Sequence, residues 1–566
     1  MRVNRRFLIG IAFLAVVCTS TPVAAAETAR GVVYEDLNSD GRYQDTEPGV
    51  PGVTVSNGFD VTETDADGRY RIAIEEGDTL FITKPSGWAV PSSSEKLPRF
   101  YYHYAPNGAP ADRRPRYRGI APSGPLPDSI DFPLTRRPEP ARFTSVWFAD
   151  PQPQTKDEVE FIRDDVVAEL IGIDAAFGIT LGDITYDDLS LYPRLYRNTA
   201  QIGVPWYHVP GNHDINKLAE TDAESLDTFR RNFGPSYYSF DYAQVHFVVL
   251  DTVMYEGTSL GSDDPDPLGS GPYTGGMGER QLAWLANDLR RVPMDRLVVL
   301  AMHIPLHSET EPEEPRVNVA DRQQLFEILA GRERLLALAG HMHLAEHYYF
   351  DSDAGFDGPV PLHLHTLSAV CGSWWSGPLD PRGVPTSLQR DGSPRGYYLM
   401  DVDGTQATLR FKATGKPSDH QMRITLDPGF PRSSADIRRD YRHGELLGNR
   451  FEMSQLWSTR VLVNLFEGGP RSTVEYQIGE APATEMHRVV RTDPFIEELI
   501  QREGDTMKSW VEAMPTTHIW EAPLPEGLQP GAHTITVRAT DEYGRIHIEH
   551  KLFEIYAMAP LEVAVD

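Results

Sequence analysis

Cysteine is nearly missing from this chain, with two in 566 residues, Cys18 and Cys371. That excludes a disulfide framework and argues against a cysteine-held structural zinc. Positive charge is also scarce. Lys and Arg total 53 against 82 Asp and Glu, for a formal net charge of −29. Such a balance disfavours nucleic acid or an anionic membrane as the main partner. Past the N-terminus no apolar run is long enough to cross a bilayer. There is no low-complexity tail and no tandem repeat, and no protein partner can be inferred.

What is present begins with a leader. Arg2, Arg5 and Arg6 precede an apolar run, Phe7 to Cys18, too short to span a membrane, and Ala24-Ala25-Ala26 follows. This predicts a cleaved signal peptide over 1–26, cut near Ala26, and a secreted or periplasmic bacterial protein. The length predicts two to four domains. The 45 prolines and 46 glycines favour turns and β-rich modules.

Residues 27–138 alternate apolar and polar positions between Gly, Asp and Asn turns, which predicts an N-terminal β-sandwich followed by a linker. Within it, Asp36, Asn38, Asp40, Gly41, Arg42, Gln44 and Glu47 have the spacing of a twelve-residue calcium loop. Arg42 would offer its carbonyl, Gln44 the water-mediated position and Glu47 a closing carboxylate. Strands rather than amphipathic helices flank the loop, so the module resembles the calcium-binding β-sandwich repeats of bacterial surface proteins. The basic, aromatic stretch over 99–140 is expected to be a linker lying on the next domain.

Residues 141–350 alternate strand-like and helical patterns. Strands are predicted over Phe143–Ala149, Phe177–Leu181, Val204–Val209, Val245–Leu250, Leu297–Met302 and Leu335–Ala339. Helices are predicted over Asp157–Ile171 and Gly278–Val292. Just beyond the strands come Asp150 and Gln152, Asp183, Asn212-His213-Asp214, His303, and His341 with His343. Open α/β sheets place ligand sites at such strand ends. Carboxylate, amide and imidazole donors together suit a pair of borderline cations such as manganese, iron or zinc. Residues 351–566 read as a C-terminal β-rich, Ig-like module. Trp374, Trp375 and Tyr397 are candidates for the pocket wall.

The order D-x-Q, G-D, G-N-H-D, H, G-H-x-H resembles the calcineurin-like metallophosphoesterase superfamily over residues 142 to 350. The resemblance implies a four-layer α/β (α+β) sandwich, two sheets face to face with helices outside. It also implies a dinuclear phosphoesterase that attacks phosphomonoesters or phosphodiesters with a metal-bridged hydroxide. Asp150, Gln152, Asp183 and His343 match the first metal's ligands. Asp183, Asn212, His303 and His341 match the second's, with Asp183 bridging. His213 matches the general acid, and Asp214 either orients it or caps a helix. Gln152 departs from the histidine common at that position. Tyr186 makes the G-D-x-x-Y of purple acid phosphatases, whose tyrosinate binds ferric iron. A bulky phosphodiester, or lipid- or glycan-linked phosphate, is mildly favoured by the flanking modules. The contrasting expectation is a calcium-stabilised surface phosphate-binding or adhesion protein with an inactive phosphoesterase fold. His208, His246, His307 and His347 fall outside the motif pattern.

Overall fold

The computed structural model describes residues 27–109, 116–257, 272–428 and 449–557. The expected signal peptide lies outside the described residues. Among them no helix is long and apolar enough to cross a membrane.

Two sheets form the centre. One has five strands in the order Trp206–Val209, Gly178–Leu181, Arg142–Phe148, Gly396–Asp403, Gln406–Ala413. Its first three strands are parallel and the last two antiparallel. The other has six strands, in the order Tyr238–Tyr242, Val245–Val249, Leu297–Ala301, Leu335–Ala339, Leu362–Thr366, Glu346–Phe350. Its four middle strands run parallel. Leu297–Ala301 and Leu335–Ala339 at its middle are continuous apolar runs, as expected where both faces are covered. The two sheets meet through rings, Phe177 on Phe247 at 5.1 Å and Trp147 near Phe247 at 6.4 Å.

The predicted strand starts and ends fall within two residues of those observed. The Gly278 helix ends at Leu289. The predicted Asp157–Ile171 helix forms over Lys156–Leu170, with a wider π-turn over Ile162–Val167 in its middle. Thr155 starts it by accepting from the Glu158 amide. The π-turn presents Asp165 to Arg395, and the two form an ion pair.

The central sheets also extend past residue 350. Glu346–Phe350 pairs with Leu362–Thr366, and Arg142–Phe148 pairs with Gly396–Asp403. The N-terminal module has two four-stranded sheets. It is joined to the centre by buried Lys84, which holds Glu139 at 2.7 Å and the Asp241 carbonyl at 2.6 Å. The C-terminal part has a four-stranded and a five-stranded sheet around their own core of residues such as Val463, Trp520 and Ile535. A long hairpin forms over Gly531–Thr540 and Ile546–Tyr556.

Candidate metal centre

The apolar strands stop, and the chain turns sharply where the expected ligands stand. Asp150, Gln152, Asp183, His341 and His343 all have positive φ, between 38° and 76°. For side chains with a Cβ this region is costly and is held by surrounding structure. Five left-handed residues at three strand ends aim their side chains at a shared space. Gly182 has φ 84°, and a Cβ there would lie 2.5 Å from His303 Nδ1. A Cβ on Gly211 would lie 2.3 Å from Asp183 Oδ1. Only glycine lets the loops close this tightly.

One group of donors converges on His303 Nε2. Asn212 Oδ1 is 3.0 Å from it, His341 Nδ1 3.1 Å and Asp183 Oδ1 3.2 Å. The other nitrogen, Nδ1, sits 2.8 Å from the Leu181 carbonyl. If Nδ1 donates to that carbonyl, Nε2 is left with its lone pair facing the group. An oxygen, a carboxylate and two imidazole nitrogens that face one another want a shared positive charge.

The second group is looser. Asp150 Oδ2 accepts from the His341 amide at 2.9 Å. Asp150 Oδ1 is buried with no hydrogen-bond partner and lies 3.8 Å from His343 Nε2. His343 donates through Nδ1 to the Gly372 carbonyl, 2.7 Å away, which leaves Nε2 facing Asp150. An orphaned carboxylate oxygen inside a protein is costly. A cation between Asp150 and His343 would remove that cost, so the residues present fit a metal pair.

Gln152 reaches this space differently from its expected role as a ligand through oxygen. Its amide nitrogen donates to Asp183 Oδ2, and its oxygen faces Cys371 Sγ at 3.6 Å. Ligation by Gln152 would need the amide turned over.

Electrostatics follow the geometry. Burial pushes the Asp150 carboxyl up to about 7, and the neighbouring Asp183 charge adds to this. Burial opposes ionisation of Asp183 too, but His303 and His213 outweigh it and hold that carboxyl well below the usual range. Burial lowers His303, yet Asp183 lifts it to about 9. Burial holds His343 down to about 3. Asp183 therefore carries the fixed negative charge shared by both groups of donors.

His213 faces the same space. Its amide donates to Asp183 Oδ1 at 2.9 Å, and its ring Nδ1 lies 2.7 Å from Asp187 Oδ1. Burial lowers its pKa, but Asp183 and Asp187 together raise it above the ordinary value. The carboxylate on the imidazole is therefore Asp187, not Asp214. Asp214 is turned away and wholly buried. It accepts from the Gly211 and Ile184 amides at 2.9 and 3.2 Å and from the Tyr192 hydroxyl at 2.8 Å. These bonds tie the Asp183 loop to the Asn212 loop. Asp214 holds no helix start.

Sequence reasoning missed Asp187 because its side chain reaches His213 only once the Asp183 loop turns back. Asp187 itself has φ 61°. The basic linker touches this loop through Tyr117, whose hydroxyl donates to the Asp187 carbonyl at 3.0 Å. Part of that linker, 110–115, lies outside the described residues.

The rim is aromatic. Tyr186 stacks on His213 with centroids 4.2 Å apart, and Trp374 stacks on His343 at 4.5 Å. Trp510, from the C-terminal part, lies 6.2 Å from both Tyr186 and Trp374 and is 45 % exposed. Trp375 is an anchor, donating to the Pro151 carbonyl at 2.8 Å. Tyr397 is buried in the sheet beside Glu169. Of the three aromatics expected at the pocket wall, Trp374 is the one stacked on a histidine of the site.

In the N-terminal loop, the side chains of the expected calcium residues bond chiefly to the loop itself. Asp36 Oδ2 accepts from the Gly41 amide, Asn38 Oδ1 from Asp40, Asp40 Oδ1 from Arg42, and both Glu47 oxygens from Leu37 and Gln44. The Gln44 side chain donates to Asp40 Oδ2 at 2.8 Å. Asp36 Oδ1 and the Tyr34 hydroxyl are each buried without a partner.

A family profile described as calcineurin-like phosphoesterase matches residues 148–345. Profiles for the N terminal and the C terminal of calcineurin-like phosphoesterase match 37–115 and 365–547. A probable glycerophosphodiester phosphodiesterase GpdQ of Arcobacter nitrofigilis is 28 % identical over 167 residues, covering 29 % of this chain and 55 % of that one. Tartrate-resistant acid phosphatase type 5 of Rattus norvegicus is 29 % identical over 171 residues, covering 29 % of this chain and 50 % of that one. The chain thus spans about half the length of the curated relatives it matches. Among solved structures, a purple acid phosphatase from yellow lupin aligns with 64 % of this chain and 67 % of its own at 11 % identity, with a TM-score of 0.34. With three profiles of one family matched in order along most of its length, the chain belongs to the calcineurin-like phosphoesterases.

Proposed function

We propose that the chain is a phosphoric ester hydrolase that works with a pair of transition-metal ions, manganese, iron or zinc, and prefers bulky phosphodiesters. The observation that carries this is the convergence of Asp183, Asn212, His303 and His341 on one point, with the orphaned Asp150 oxygen facing His343 beside it. Bound there, two cations supply a nucleophile from water at neutral pH and neutralise phosphoryl charge.

The chain's own groups do the rest. Asp183 faces both donor groups and fixes their spacing. His213, kept protonated by Asp183 and Asp187, gives its proton to the leaving oxygen. Tyr186 fixes the tilt of that ring by stacking on it. On this reading Tyr186 orients the acid and does not bind iron, so an iron-loaded sample is colourless. Trp374 and Trp510 offer flat apolar surface to a leaving group larger than a simple alcohol, which is the support for a diester preference.

Four further parts belong to this reading. The two central sheets pack face to face with helices outside, and the C-terminal pair of sheets is an Ig-like module. The chain is exported through its basic, apolar N-terminus, which N-terminal sequencing of the mature protein tests. The Asp36–Glu47 loop takes calcium and braces the N-terminal module, so chelating calcium lowers its melting temperature. An unchanged melting temperature would remove the calcium.

The activity is tested with paired chromogenic esters, a phosphate monoester and its diester, on protein loaded with each metal in turn. Hydrolysis with the diester favoured is expected. Full metal loading without hydrolysis of either ester would overturn the proposal and favour a phosphate-binding surface protein.

A further inference from the structure

A second cluster of potential ligands lies away from the centre just described. His347 and His365 are cross-strand partners on Glu346–Phe350 and Leu362–Thr366, at the edge of the six-stranded sheet. Their rings stack with centroids 3.9 Å apart. Glu467 approaches them from the C-terminal part, just after strand Arg460–Leu465. One ligating atom from each of the three lies within 4.8 Å of the others, and all three side chains are buried.

The hydrogen bonds leave this cluster one partner short. His365 Nε2 is 2.9 Å from Glu467 Oε2. His347 Nε2 is fully buried and has no partner. Every outward atom, by contrast, is satisfied. His347 Nδ1 meets His363 Nε2 at 3.0 Å, and His365 Nδ1 meets the Tyr543 hydroxyl at 3.1 Å. Glu467 Oε1 accepts from the Tyr398 hydroxyl at 2.6 Å. Outer partners of this kind orient imidazoles and carboxylates toward a metal.

We propose that His347, His365 and Glu467 bind a zinc ion that fastens the C-terminal part to the six-stranded sheet. Two imidazoles and a carboxylate are a donor set that zinc takes. A tetrahedral site sets its ligand atoms about 3.3 Å apart, so small side-chain movements close the cluster on an ion. The cation takes the place of the proton now shared by His365 and Glu467 and gives His347 Nε2 its missing partner. Burial already holds both imidazoles in the neutral form that binds metal. Burial also pushes the Glu467 carboxyl up to about 8, and a cation reverses that. The close approach is built in. A Cβ on Gly469 would lie 2.7 Å from the His347 Cβ, so glycine is needed where the two parts meet.

The test is metal content of the full-length protein, dialysed against zinc and then against metal-free buffer, for wild type and for His347→Gln. The variant should hold one zinc per chain fewer, melt at a lower temperature, and hydrolyse a chromogenic ester at the wild-type rate. Equal zinc in both would overturn the proposal. If His347→Gln does not fold, anomalous diffraction from wild-type crystals at the zinc edge decides. A peak between His347, His365 and Glu467 supports the site, and its absence with zinc present elsewhere removes it. Ester hydrolysis depends on the other cluster, so the two proposals fail separately.

Discussion

Asp214 is next to His213 in sequence and Asp187 is 26 residues away, yet it is Asp187 that touches its ring. A positioned general acid contributes roughly 10²–10⁴-fold. His213→Ala should therefore lose about that much kcat while keeping both metals, because His213 meets Asp183 only through its backbone amide. Loss of metal together with activity would place His213 among the ligands instead. Asp187→Asn should lower kcat about tenfold with metal content unchanged. Asp187 also takes Lys217 Nζ at 2.5 Å, so its charge is fixed from a second side. An Asp187→Asn enzyme as fast as wild type would show that the imidazole needs no help from that carboxylate. Identity was easy to read at this scale because each motif follows an apolar run. Orientation was not. Whether an aspartate faces an imidazole or a backbone amide depends on how its loop turns, and whether the Gln152 oxygen faces a metal depends on a rotation that leaves no mark in sequence.

At the scale of elements, strand ends were legible because most of the buried parallel strands are largely apolar, Leu297–Ala301 and Leu335–Ala339 wholly so. The π-turn in the Lys156–Leu170 helix was not legible, since its apolar spacing keeps one face. Nor were the strands Gly396–Asp403 and Gln406–Ala413, whose alternation looks like that of any β-rich tail. Pairing register also explains His246. It lies opposite Asp241 across a strand pair, 2.8 Å from Asp241 Oδ1 and 2.9 Å from Asp288 Oδ2 of the Gly278–Leu289 helix. Burial alone would lower this imidazole, but Asp288 and Asp241 lift it to about 9. Its folded pKa thus exceeds the unfolded value of about 6.5. The stabilisation is fully present below about pH 6.5 and is lost as pH rises through about 9, a change of about 3 kcal/mol. Urea unfolding of wild type and His246→Gln should show a gap at pH 6 that narrows by pH 9.5. A gap independent of pH would mean that His246 is neutral when folded.

For the whole molecule, the C-terminal part reaches back across the centre. Lys508 Nζ bonds Gln154 at 2.8 Å and Glu158 at 3.0 Å, which sets Trp510 over Tyr186. Nothing in sequence could place residue 510 beside residue 186, because the contact depends on how two domains dock. If Trp510 supports a bulky leaving group, Trp510→Ala should raise KM for an aryl diester several-fold, since a stacked aromatic contact is worth about 0.5–1.5 kcal/mol, and leave kcat nearly unchanged. An equal effect on a small monoester would make Trp510 a general structural support. The central claim is that six distant side chains, Asp150, Asp183, Asn212, His303, His341 and His343, enclose two cations that the reaction needs. Its most direct test is to strip the protein with chelator, saturate it with calcium, and titrate manganese while following ester hydrolysis. Activity should be absent at the start, rise to a plateau at two manganese ions per chain, and stay absent in Asp183→Asn. Turnover by the stripped protein, or a plateau at a single ion, would contradict the account.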